Sequence, residues 1–132
     1  MLEMSETAHI LATATPHSLV LIDEIGRGTS ASEGVALAAS IAKHLINKNR
    51  AWVLFATHYH EIIQNPLLSD SQSSLQLAKT EAEILPDGGV SIIPKVVPGI
   101  ATHSYALPVA SLAGIPEEVI TDAQTAINTI KN

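Results

Sequence analysis

Asp23 and Glu24 stand side by side at the end of the apolar run Leu19-Val20-Leu21-Ile22, and His58 follows a second apolar run, Ala51 to Ala56. Two adjacent carboxylates at a strand tip can divide two tasks. Asp23 can hold Mg²⁺ directly or through water, because a hard cation carrying a triphosphate takes oxygen ligands and accepts few from protein. Glu24, one residue on, can then polarise an attacking water. His58 can reach a γ-phosphate by hydrogen bond or charge, provided the two strand ends are neighbours. The plainer reading is an ordinary strand end and a surface or capping histidine, since five other histidines (His9, His17, His44, His60, His103) occur in the chain. A further alternative takes His58, His60 and Glu61 as metal ligands, because His-x-His puts both rings on one side of an extended segment. No additional ligand cluster accompanies them in the sequence.

Four apolar residues followed by Asp-Glu have the shape of a Walker B strand. The segment that follows, Gly26-Arg27-Gly28-Thr29-Ser30, is too rich in glycine to continue the strand, and its glycines permit close backbone approach to a ligand or another subunit. It is not itself a phosphate-binding loop. That loop requires Gly-x-x-x-x-Gly-Lys-Ser/Thr after a strand, and no such string occurs in these 132 residues. Arg27 can be read as an arginine finger or as a solvated loop arginine.

The elements that must position these groups follow from hydrophobic spacing. Glu3 to Ala14 reads as a helix closed by Pro16. Leu19 to Ile22 is continuous enough for an interior parallel strand whose carboxyl end opens onto a site. From Ser32 or Glu33, the spacing of Val35, Leu37, Ala38, Ile41, Ala42, Leu45 and Ile46 predicts an amphipathic helix. Ala51 to Ala56 is the second strand, so strand, helix and strand form a βαβ crossover with parallel strands. Asn65 to Ser74 reads as a polar loop. Leu75 to Leu85 and Val90 to Val97 suggest a hairpin around Pro86-Asp87-Gly88-Gly89, with a helix over Leu75 to Leu85 as the alternative. Ser104 to Leu112 suggests a short helix interrupted by Pro108, and Pro116-Glu117-Glu118 starts a last helix reaching Ile130.

Bulk properties narrow the function classes. The length fits one domain, and 46% hydrophobic residues suffice for a core. Seven basic residues against 13 acidic ones, a net charge of −6, leave no basic stripe for a phosphate backbone. The chain has no cysteine, which removes disulfides and thiolate metal sites. No apolar run approaches the roughly 20 residues of a bilayer span, and the N-terminus lacks the order of a signal peptide. An intracellular location is expected: cytoplasm in a bacterium, mitochondrion or nucleus in a eukaryote.

Read together, Ser18-Leu-Val-Leu-Ile-Asp-Glu-Ile-Gly-Arg-Gly-Thr-Ser30 and Phe55-Ala-Thr-His-Tyr59 resemble the Walker B, dimer-interface loop and histidine-switch motifs of the MutS family of DNA mismatch-repair ATPases. Leu2-Glu-Met-Ser-Glu-Thr-Ala-His-Ile-Leu11 is similar to the helix behind that family's signature loop, and His103 to Pro116 to its closing segment. The resemblance covers nearly the whole chain and is weakest from Pro66 to Val97. It implies an α/β fold: part of a P-loop NTPase sheet of the ABC-ATPase kind, with flanking helices, a β-hairpin and C-terminal helices. Residues 1–115 would be the C-terminal portion of the ATPase domain and 116–132 the start of a helical segment. By the same resemblance Asp23 coordinates Mg²⁺, Glu24 activates water, His58 senses the γ-phosphate of ATP, and Gly26, Arg27, Gly28, Thr29 and Ser30 form the loop at the interface with a second ATPase subunit. Mismatched DNA is contacted by other domains in such proteins.

The departures shape the expectation. The family's phosphate-binding loop and the Ser-Thr-Phe preceding Met1 are absent, and Met1 matches an internal methionine of the family, which points to a truncated product or an excerpt of a longer chain. Ala106 stands where the family has glycine and Glu33 where many members have aspartate; the Glu33-Gly34 pair resembles the mitochondrial branch. A related nuclease group acting outside mismatch repair reads Gly-Ala-Gly-Thr where this chain has Gly26-Arg-Gly-Thr29. The chain alone is therefore expected to lack ATP hydrolysis although its parent has it. A second reading makes it an inactive short module that docks on a MutS-like subunit through Thr29-Ser30 and the last helix. A third is a transporter or chromosome-maintenance ATPase, which shares Asp-Glu and the histidine but lacks the Gly26 to Ser30 string. A sheet without upstream strands should also leave an unpaired edge and an uncovered apolar face.

Overall fold

A computed structural model describes residues 2–85, 90–101 and 105–130. The described elements, in chain order, are helix α1 (Leu2–Thr13), strand β1 (Leu19–Asp23), helix α2 (Ala31–His44), strand β2 (Trp52–Ala56), strands β3 (Ala78–Ile84) and β4 (Val90–Pro98), and helices α3 (Ala106–Leu112) and α4 (Glu117–Ile130). The fold is mixed α/β, with two small sheets. It divides into two units, Met1–Leu75 and Gln76–Asn132.

In the first unit β1 and β2 pair in parallel, from Leu19 opposite Trp52 to Asp23 opposite Ala56. The expected strand, helix, strand order with parallel pairing is observed. Val20 and Ile22 point to one side and are buried in one core with Ala38, Ala39, Ile41 and Ala42 of α2 and with Leu45 just past its end. Two alanines at the centre of that face let the helix lie close to the sheet, where larger side chains would hold it off. The other face of the same strands is open: Leu19 and Leu21 are each 66% exposed, Trp52 75% and Leu54 65%. The sequence expectation of an uncovered apolar face holds at these four residues.

Helix α2 continues past His44 as a wider π-type turn, Leu45–Asn49, and Arg50 closes it in the left-handed conformation at φ 54°. The buried Asn49 Nδ2 donates to the carbonyls of Leu11 at 3.1 Å and Ala14 at 2.9 Å, joining this turn to the end of α1. Asn65 to Ser74 departs from the expected loop, because 3₁₀ turns occupy His60–Gln64 and Pro66–Ser74. The second begins where Asn65 Oδ1 accepts the Leu67 N–H at 3.0 Å and proline takes the first position. Ile62 and Leu68 from these turns enter the core.

In the second unit β3 and β4 form an antiparallel hairpin with an irregularity between Thr80 and Glu81. The hairpin reading therefore replaces the helix alternative over Leu75 to Leu85, while the turn Pro86 to Gly89 lies outside the described residues. Pro108 does not interrupt α3. It falls in the first turn, where a backbone N–H has no partner inside the helix. Helix α4 starts on Glu117 and Glu118, acids that suit the positive end of a helix dipole.

Candidate functional site

The parallel pairing brings the two polar motifs to one edge of the sheet. Asp23 ends β1 opposite Ala56 and is exposed. Glu24 extends the pairing by one hydrogen bond, its N–H donating to the Ala56 carbonyl at 3.0 Å. The backbone then turns sharply, with Glu24 at φ 53°, a left-handed conformation uncommon outside glycine. Ile25, 2% exposed, plugs into the core and fixes the exit of that turn.

His58 leaves β2 two residues after Ala56, and its Nδ1 is hydrogen-bonded to Glu24 Oε2. An ionised carboxylate only accepts, so Nδ1–H is the donor and Nε2 is the ring nitrogen left for a further partner. The side chains are 51% and 36% exposed, so the pair is open to solvent and to a ligand. The turn is braced from within, since Tyr59 N–H donates to Thr57 Oγ1 at 3.0 Å. The fold thus gathers Asp23, Glu24 and His58 at one edge. It does not gather the alternative metal set of His58, His60 and Glu61, because no three His, Cys, Asp or Glu groups form a metal-binding cluster among the described residues.

The glycine loop runs from this edge to α2. Gly26 and Gly28 take φ 86° and 88°, where any side chain is strained. Ser30 caps α2, and Glu33 in its first turn accepts hydroxyl hydrogen bonds from Thr29 Oγ1 at 2.6 Å and Ser30 Oγ at 2.8 Å on the same oxygen, Oε2. The Thr29 hydroxyl first, then the Ser30 hydroxyl and amide, hold the Glu33 carboxyl below its ordinary range. Arg27, Gly28, Thr29 and Ser30 are exposed. Glu33 was not among the expected site residues, although Ser30-x-x-Glu33 is the spacing of a capping box. Tyr59 was also missed as a site residue. A single tyrosine after a histidine gives no signal that its hydroxyl reaches Gly26 O at 2.9 Å.

A family model described as MutS domain V matches residues 1–131. The chain belongs to the MutS family, in domain V. It is also similar to the DNA mismatch repair protein MutS of Treponema denticola, with 46% identity over 127 residues that make up 96% of this chain and 14% of that protein. The chain thus spans about one seventh of the length of this curated relative. Membership in the MutS family accounts for the Leu19 to Ser30 and Phe55 to Tyr59 strings as parts of one domain. Among the described residues, no helix of this MutS domain is long and apolar enough to cross a membrane.

Proposed function

We propose that this chain supplies the hydrolytic and phosphate-sensing side of a MutS-type ATPase, with its sheet forming part of a P-loop NTPase fold of the ABC kind. The observation that carries the reading is the Glu24–His58 hydrogen bond at the shared edge of two parallel strands, one residue from Asp23. Asp23 is a hard oxygen donor, exposed at a strand tip, and fits a Mg²⁺ ion that keeps most of its water. When bound, that ion neutralises charge on the triphosphate of ATP. Glu24 accepts a proton from the attacking water, and its carboxylate is oriented by His58 Nδ1–H. His58 Nε2 faces the remaining task, contact with the γ-phosphate. The chain contains no Gly-x-x-x-x-Gly-Lys-Ser/Thr string, so grip on the phosphates comes from residues beyond this sequence.

In this reading Gly26, Arg27, Gly28, Thr29 and Ser30 meet a second MutS-type ATPase subunit, and the assembled protein couples ATP hydrolysis to mismatched DNA held by other domains. The exposed Arg27 to Ser30 stretch and the acidic balance of the chain support that division. The test is Glu24→Ala in a full-length MutS that carries this chain as its domain V. ATP binding is expected to persist and steady-state hydrolysis to be lost; unchanged hydrolysis overturns the proposal. The alternative of an inactive docking module predicts that ATP and Mg²⁺ leave the melting temperature of the purified chain unchanged while a MutS-like subunit is still captured.

A further inference from the structure

Tyr59 takes no part in the hydrolytic chemistry above, yet it is buried, 8% exposed, in the middle of it. It follows His58 directly, and the two rings lie with centroids 4.2 Å apart and planes tilted by 40°. Its hydroxyl donates to the carbonyl of Gly26, the first residue of the interface loop. On its other side the phenol fills a slot in α2 that exists because residue 34 is glycine. A Cβ at Gly34 would lie 2.2 Å from the phenol oxygen and 2.6 Å from Cζ, distances that atoms do not share. A Cβ at Gly26 would in turn meet the Cα and carbonyl oxygen of Gly34 at 3.1 Å. The loop is therefore held at both ends by one assembly. Tyr59 holds Gly26, and Glu33, the neighbour of Gly34, holds Thr29 and Ser30.

Resting on the reading of His58 as the phosphate-sensing group, we propose that Tyr59 is a positioning residue that ties the His58 turn to the Gly26 to Ser30 loop, so that phosphate contact at His58 is felt at the subunit interface. The physical reason is that neither partner can leave without loss. The Gly26 carbonyl is buried with its residue, and an unmade hydrogen bond there carries the full desolvation penalty. The phenol lies directly against the α2 backbone at Gly34, where a Cβ would have no room beside it. A displacement of His58 thus carries Tyr59, and Tyr59 carries the loop. The hydroxyl proton is committed to a main-chain carbonyl, so Tyr59 acts through the loop rather than on a substrate.

The experiment uses a full-length MutS that carries this chain as its domain V and follows amide hydrogen exchange across residues 26–30, with and without a non-hydrolysable ATP analogue. The parent is expected to gain protection in this loop when the analogue binds. Tyr59→Phe keeps the ring but not the hydroxyl, and is expected to leave KM for ATP within about twofold while the analogue-induced protection falls about fivefold or more, the factor one hydrogen bond carries. His58→Ala should remove the induced protection as well. Gly34→Ala, which expels the phenol from its slot, should reproduce Tyr59→Phe. Induced protection that survives Tyr59→Phe or His58→Ala overturns the proposal. So does a Tyr59→Phe loop that is loosened equally with and without the analogue, since that is the signature of a purely structural role. His58→Ala separates this idea from the one beneath it: induced protection that survives in that variant refutes the phosphate-sensing reading, whereas protection lost there but kept in Tyr59→Phe refutes only the tie.

Discussion

His58 Nδ1 is hydrogen-bonded to Glu24 Oε2, although 34 residues separate them in sequence. Parallel pairing of β1 and β2 sets the two strand ends level, and the left-handed turn at Glu24 swings its carboxylate toward the second strand. Because both side chains are more than a third exposed, solvent screens the pair, and its contribution to folding should stay below about 1 kcal/mol. Its effect on chemistry should be far larger. In a full-length MutS carrying this chain, Glu24→Gln is expected to lower kcat by about 10²- to 10⁴-fold, the range of a lost general base. Glu24→Gln and His58→Ala together should cost less than the product of the two single losses, because part of the His58→Ala loss is lost orientation of the Glu24 carboxylate. A double-mutant cycle on kcat measures this, and strictly multiplicative losses would show that the two residues act independently.

Much of this edge was legible in the sequence, for reasons that differ by residue. The runs Leu19 to Ile22 and Ala51 to Ala56, with a helical period between them, fix a parallel pair, and a parallel pair places Asp23, Glu24 and His58 at one end. The backbone of Glu24 was not legible, since a left-handed glutamate is imposed by the Ala56 carbonyl on one side and buried Ile25 on the other. The 3₁₀ winding of Pro66–Ser74 was hidden for a similar reason: its residues show no apolar period, and Asn65 capping with buried Leu68 and Ser71 holds the turns. The clasp of Thr29 and Ser30 by Glu33 had a local signal, the capping-box spacing, whereas the Tyr59 to Gly26 bond spans 33 residues and had none.

Glu33 predicts a pH response in the loop. Its carboxyl is held below its ordinary range in the folded chain by the Thr29 and Ser30 donors. A depressed acid pKa stabilises the fold above the unfolded-state pKa, and that contribution is lost as pH falls through the folded value. The Thr29, Ser30 and Glu33 clasp should therefore be intact at neutral pH and open only when pH drops below the ordinary carboxylate range. Carbon-detected NMR titration of the Glu33 side chain should give a midpoint below the ordinary glutamate range. Glu33→Gln should leave the protection of the Ser30 amide, relative to its intrinsic exchange rate, independent of pH over the same window. A Glu33 midpoint within the ordinary glutamate range would mean that the hydroxyls do not hold the carboxylate.

Asn49 predicts a stability effect remote from the chemistry. Its amide Nδ2 satisfies two carbonyls at the end of α1, and its Oδ1 is buried with no hydrogen-bond partner among the described residues. Asn49→Leu removes both donors and leaves the Leu11 and Ala14 carbonyls unpaired, at a cost of about 1–3 kcal/mol. Asn49→Asp should be at least as damaging, since a carboxylate cannot donate to either carbonyl. Urea denaturation of the purified chain checks both variants. Unchanged midpoints would show that α1 is not joined to the rest of the unit through Asn49.

The open face of the first sheet predicts how the chain behaves in isolation. Leu19, Leu21, Trp52 and Leu54 lie on adjacent parallel strands with alternating residues on one side, and each is at least 65% exposed. Contiguous apolar surface of this kind drives association, whereas charge on a strand face opposes it. The purified chain should therefore sediment as self-associated species at micromolar concentration and bind a hydrophobic dye. Leu21→Lys together with Leu54→Glu should shift it toward monomer and reduce dye binding. Neither change touches the core face formed by Val20 and Ile22, so the folding free energy should move by about 0.5 kcal/mol or less per site. Sedimentation velocity on both forms decides the point. A monomeric parent chain would mean that this face is covered by something other than a second copy, and an unfolded variant would mean that the exposed residues carry part of the core.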